Sequence, residues 1–313
     1  MKRVLSVFVF SLAFFAIISA QSLEEATQLY NEGATALNGG DLQGALISLE
    51  KAYTMAKGLG DDGATLIESC QVIIPSTYFQ IASNLIKEQK YSEAIEQLKV
   101  TIEKSKEYDD PITEMDALDL IPQLYYNIAN NFLSQEKFAE ATAEYKKVTE
   151  YDPQNAKAYL NMGIAYSRLN DEAATVAAFE KVSELGDKEN ANKQLSSFFL
   201  KKSNDARVAK KNQESMDYAK KSMTYSDNAQ ANQLYGLAAI QLKKHKEAIE
   251  GLEAYLAKSP NLKSPNSTYY NLATSYEAIG NKDKACGYYK KIVDDKQFGE
   301  YAKHKVNIEL KCN

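Results

Sequence analysis

The chain has 313 residues, with 37 basic against 42 acidic side chains and a formal net charge of −5. That balance excludes a general nucleic-acid binder, which needs a cationic surface to displace counterions. Only six prolines and fourteen glycines punctuate it and tryptophan is absent, while Ala, Leu, Lys, Glu and Gln abound, so the material is helix-forming.

Residues 1–20 read as a secretory leader. Met1-Lys2-Arg3 supplies a positive start, Val4 to Ile18 an apolar or small run, and Ser19-Ala20 a small exit before Gln21. Cleavage is expected after Ala20, giving a periplasmic or secreted chain. An uncleaved anchor is the alternative, but the apolar run falls short of the roughly 20 residues a bilayer crossing needs. No later segment is apolar enough to span a membrane. Removing Lys2 and Arg3 leaves 35 basic and 42 acidic residues, unevenly spread. Residues 21–122 hold 18 acidic and 7 basic side chains, and residues 123–313 hold 24 and 28. Such asymmetry biases partner choice and association rate.

From there the sequence repeats. Leu29, Gly33 and Ala36, then Ala45, Leu49 and Ala52, open the series. Tyr78, Ile81, Ala82 and Leu85 are followed by Ala94 and Leu98. Tyr125, Ile128, Ala129 and Phe132 are followed by Ala141, Tyr145, Val148 and Pro153. Tyr159, Met162, Gly163 and Tyr166 precede Phe179 and Val182, with Thr175 where alanine is expected. Gly236, Ala248, Leu252 and Pro260 mark a later copy, and Tyr269, Leu272, Ala273 and Tyr276 precede Ala285, Tyr289 and Ile292. Steps of three and four put each set on one helical face. The small residues let paired helices approach, and the aromatics fill the gap to the next pair. About 290 residues would strain a single core, whereas stacked units contact only their neighbours.

These copies resemble the tetratricopeptide repeat, a 34-residue helix-turn-helix with the W-x₂-L-G-x₂-Y…A-x₃-F…P pattern; here Tyr usually takes the place of the first aromatic. The resemblance implies an all-α, right-handed α-solenoid of about seven repeats, near 26–59, 75–108, 122–155, 156–189, 196–228, 229–262 and 266–299, closed by a capping helix at 298–311. The fifth unit fits least well, because Lys202 stands at an apolar position. Residues 60–74 and 109–121 break the period and align with each other. They read as longer first helices, kinked or begun at Pro75 and Pro122, with a disordered loop as the alternative.

Chemistry is sparse. His245, in a turn, and His304 have no metal-ligand neighbours, and both read as exposed. No metal, nucleotide or nucleophile motif is present, so no cofactor and no catalytic residue is assigned. The pairs Asp61-Asp62, Asp109-Asp110 and Asp294-Asp295 read as helix caps and solvated surface. Of the three cysteines, Cys286 and Cys312 are the only plausible internal pair. Two antiparallel helices turning near Lys296 would set Cys286 against Val306, and Cys312 would overshoot by about 9 Å at the helical rise. Three unpaired thiols are the alternative.

In the tetratricopeptide family the first helix of each pair lines a concave face that holds peptides or protein segments. By that resemblance the groove is expected at Tyr126, Asn127, Asn130, Lys157, Asn161, Arg168, Lys201, Asn204 and Arg207, with Phe79, Leu237, Tyr270 and Asn271 among the flanking positions. Asn side chains bond a peptide backbone in both directions, and Lys and Arg suit an acidic segment. Asn130, Asn161 and Lys201 match part of a known clamp for C-terminal carboxylates, but Tyr126 and Ser197 replace two of its basic residues. The expectation is a non-catalytic interaction scaffold for an extended, acidic protein segment. The alternatives are assembly by self-association and a glycan-binding module in which Tyr126, Tyr270 and Phe79 stack on sugar rings.

Overall fold

The computed structural model describes residues 22–312; the expected leader lies outside the described residues. Helix α1 spans 22–38. There follow α2 (Leu42–Gly58), a 3₁₀ turn (Gly60–Gly63), α3 (Ala64–Lys87), α4 (Tyr91–Glu107), α5 (Pro111–Ser134), α6 (Phe138–Tyr151), α7 (Ala156–Arg168) and α8 (Glu172–Glu184). Then come α9 (Lys188–Val208), α10 (Asn212–Tyr225), α11 (Ala229–Gln241), α12 (His245–Lys258), α13 (Asn266–Ala278), α14 (Lys282–Lys290) and α15 (Gly299–His304), which runs into a π turn (Lys305–Glu309). There is no strand among the described residues, and the fold class is an all-α repeat solenoid. The chain divides into two compact units, one ending at Ala158 and one beginning at Tyr159.

Within each pair the helices are joined by three residues, and the middle one is left-handed every time. It is Gly40, Gln89, Glu136, Asn170, Lys210, Lys243 or Gly280, with φ between 57° and 85°. The next amide then reaches back to an orphan carbonyl of the first helix, as in Asp171 to Tyr166 and Lys211 to Ala206. This is the geometry of a left-handed C-terminal cap.

In the first unit Ala45, Ala82, Ala94, Ala129 and Ala141 are fully buried where paired helices meet. A Cβ on Gly33 would lie 2.6 Å from Leu49 Cγ. Of the segments 60–74 and 109–121, residues 64–74 and 111–121 extend the first helices, while 60–63 form the 3₁₀ turn and 109–110 lead into α5, and Pro75 and Pro122 sit inside α3 and α5. Asp110 starts α5 by accepting the Ile112 and Thr113 amides, with Pro111 in the first turn, where its missing amide costs little.

In the second unit a Cβ on Gly163 would meet the Phe179 ring at 2.8 Å. Thr175 replaces alanine at full burial because its hydroxyl donates to the Asp171 carbonyl at 2.6 Å. The helix pair α9–α10 packs on serines: Ser203 Oγ donates to the Ser215 carbonyl and Ser222 Oγ to the Ser196 carbonyl, each at 2.8 Å. Lys202 is tolerated at an apolar position because its ammonium sits over the Phe198 and Tyr218 rings and meets Glu172 at 2.7 Å. Helix α9 begins at Lys188, eight residues before the unit expected at 196, and buries Ala191 and Leu195.

The C-terminal segment differs from a straight capping helix. Helix α14 ends at Lys290, and beyond the π turn the left-handed Lys311 (φ 48°) turns the chain back so that the Cys312 amide donates to the Val306 carbonyl at 2.7 Å. That reversal removes the overshoot expected for Cys312, and Cys286 and Cys312 form a disulfide with Cα atoms 5.7 Å apart. Cys70 is a buried free thiol whose pKa burial pushes up to about 11. His245 is the first residue of α12 rather than a turn residue. It is half-buried, with Nδ1 lacking a hydrogen-bond partner.

Candidate functional site

The groove positions expected from sequence fall into two groups. Tyr126, Asn127, Asn130 and Lys157 belong to the first unit, and Asn161, Arg168, Lys201, Asn204 and Arg207 to the second.

In the first unit a cleft of about 790 Å³ opens between α5 and the end of α6. Leu118, Pro122, Tyr126 and Tyr151 give it apolar and aromatic walls, and Asn127 and Lys157 reach it as well. The rings are held from behind: Tyr126 packs edge-on to Tyr145 at 5.8 Å and Tyr125 tilts against Tyr151 at 6.1 Å. Asn130 accepts a hydrogen bond from the Tyr145 hydroxyl at 2.6 Å. Two carboxylates, Asp119 and Asp152, line the same cleft. Asp152 accepts from the Gln154 amide and from Asn155 Nδ2, and Asn155 Oδ1 accepts from the Ala158 amide, capping α7. Asp119 and Lys157 are exposed.

In the second unit Lys201, Asn204 and Arg207 follow one another along the exposed face of α9. Lys201 pairs with Asp205 at 2.7 Å, and Arg207 Nη2 donates to Asn204 Oδ1 at 3.0 Å. Arg168 lies at the exposed end of α7, and Asn161 is half-buried. A cleft of about 470 Å³ brings Arg207 and Lys210 from the end of α9 together with Leu237 and Gln241 of α11 and Asn271 of α13. Three consecutive first helices thus contribute to one depression. Its lining holds two cations and no carboxylate. Lys210 was not anticipated from sequence. It occupies the left-handed turn position after α9.

Other expected positions are engaged elsewhere. Tyr270 stacks on Phe298 at 4.7 Å and meets Tyr301 edge-on at 5.6 Å, so the closing segment already engages its ring. Phe79 packs against the core of α3, α4 and α5. Among the described residues no cluster of three or more His, Cys, Asp or Glu could hold a metal ion, and no helix is long and apolar enough to cross a membrane.

A family model described as TPR repeat matches residues 129–170, and models described as tetratricopeptide repeat match 156–185 and 267–295. No curated protein matches. Among solved structures, a MamA protein is 23% identical, covering 60% of this chain and 95% of its own, with a TM-score of 0.36. MamA from Desulfovibrio magneticus RS-1 is 19% identical, covering 55% and 93%, at 0.35. YrrB, described as a TPR protein with an unusual peptide-binding site, is 22% identical, covering 57% and 90%, at 0.34. The family-model matches coincide with helix pairs whose small residues and left-handed turns recur along the chain, and at those positions the chain carries tetratricopeptide repeats.

Proposed function

We propose that this protein is a non-catalytic scaffold that holds an extended, acidic protein segment against the first helices of its second unit. The observation that carries the reading is the cleft shared by Arg207, Lys210, Leu237 and Asn271. An extended segment crossing successive first helices would find a cation pair, an apolar step and an amide in that order. Asn271 can bond the backbone in both senses, and Arg207 can take a carboxylate with two parallel bonds. Lys157 contributes less to an acidic preference than its charge suggests, because Asp119 and Asp152 line its cleft.

An address in the cell envelope or outside the cell is part of the proposal. The leader-like residues 1–20 and the Cys286–Cys312 disulfide support it, since disulfides persist in oxidising compartments. The test is selection of random displayed peptides on the purified protein. The enriched class should carry Asp or Glu and bind about tenfold more weakly to an R207E/K210E variant. An enriched class indifferent to that variant would count against the reading.

A further inference from the structure

The N-terminal half of α5 carries Ile112, Met115 and Leu118 at 69%, 58% and 39% exposure. Their spacing sets them along one side of the helix, and the next turns of that side bring Pro122 and Tyr126. The row therefore runs into the first unit's cleft, where Leu118, Pro122 and Tyr126 form one wall. Over the N-terminal half of α5 the repeat packing uses the opposite side, burying Thr113, Ala117 and Ile121, and it takes up the row's own side only from Tyr126 and Ala129 onward. Large apolar side chains left in a continuous exposed row mark a contact surface.

The charges beside the row have one sign. Asp116 and Asp119 are exposed on the adjoining turns. Asp119 and Asp152 line the cleft, with Lys157 as the one cation among its lining residues. Pro122 has no amide to give the Leu118 carbonyl, so the wall is richer in acceptors than in donors. Residues 21–122 as a whole hold 18 acidic and 7 basic side chains.

We infer that this row and its cleft are a second docking surface, for an amphipathic segment whose apolar face is flanked by Lys or Arg. Apolar anchors at helical spacing fit between Ile112, Met115 and Leu118. Basic side chains lay their methylene stems along the same row and carry their charges to Asp116 and Asp119. Acidic segments are repelled. Two copies of this chain meeting face to face here would oppose like charges, which disfavours a symmetric dimer.

The same displayed-peptide selection tests this surface separately from the second unit's cleft. A class rich in Lys and Arg with helically spaced apolar residues is expected. Its affinity should fall at least about tenfold in Met115→Glu and in the D116K/D119K pair, and its binding should weaken with salt. It should be unchanged in the R207E/K210E variant. The substituted side chains are exposed, and far-ultraviolet circular dichroism should confirm unchanged helicity. An enriched class that is acidic, or no class sensitive to the α5 variants, overturns the inference while leaving the acidic-segment reading to its own variant. A concentration-dependent dimer abolished by Met115→Glu also overturns it, by assigning the surface to a second copy.

Discussion

Gly236 and Gly251 face each other across the α11–α12 contact with no room for a methyl group between them. A Cβ on Gly251 would lie 2.8 Å from the Gly236 nitrogen, 2.9 Å from its Cα and 2.8 Å from the Asn232 carbonyl oxygen. All three are backbone atoms, so no side-chain rotation relieves the clash. Gly251→Ala should destabilise by about 1–3 kcal/mol, the usual cost of overpacking. Gly287, exposed in α14, meets nothing within 4 Å. Gly287→Ala should stabilise by about 0.5–1 kcal/mol through backbone entropy. Urea midpoints of the two variants, moving in opposite directions, check the contact.

Five of the seven intra-pair turns place a residue with a side chain in the left-handed region. Lys210 and Lys243 have φ of 60° and 57°, where an L side chain costs about 1–2 kcal/mol. Lys243→Gly should therefore stabilise modestly, by less than about 1 kcal/mol once glycine's larger unfolded-state entropy is counted. Thermal unfolding would show it as a small rise in Tm.

The disulfide ties α14 to the last residues beyond the π turn, closing a loop of sequence separation 26. Reduction, or C286S/C312S, should cost about 3 kcal/mol in the chain-entropy account. Because repeats contact only their neighbours, the loss should appear first near the C-terminus. Hydrogen exchange with and without reductant should show faster exchange in α14 and α15 and little change in α2 to α4.

Glu172 ties three helices by accepting from Lys202 and Lys221, each at 2.7 Å. Burial alone would raise its carboxyl pKa, but the two lysine bonds outweigh that and hold it below the usual carboxylate value. Its folded value lies below its unfolded one, so the stabilisation is complete above the ordinary carboxylate range and is lost as pH falls through the folded value. Glu172→Gln should cost on the order of 1 kcal/mol at neutral pH, given partial exposure. The gap to the parent protein should close in acid. Denaturant midpoints from neutral pH to about pH 3 follow it.

The repeat was legible because packing requires small residues at fixed spacing, and Gly33, Ala45, Gly163 and Ala285 answer that need by their size alone. The left-handed turns were not legible, since Gln89, Glu136, Lys210 and Lys243 are not residues that favour that region. The disulfide was obscured for a related reason: a helical rise extrapolated past Val306 cannot anticipate a π turn. In the clefts, Arg207, Leu237 and Asn271 could be placed from the phase of the first helices. Asp119 could not, because it lies upstream of Pro122, outside the unit boundary. Once α5 is continuous through Pro122, Asp119 stands seven residues before Tyr126, on the same side of the helix.

If the second unit holds a protein segment on its first helices, that segment must touch Asn271. Photo-crosslinking in the cells that produce the protein tests it most directly. A photoreactive residue at Asn271, in the cleft, is compared with one at Glu250, on exposed α12. A discrete crosslinked protein is expected from Asn271, lost in R207E/K210E and not formed from Glu250. The same protein captured from Glu250, or capture from Asn271 unaffected by the charge reversal, would contradict it.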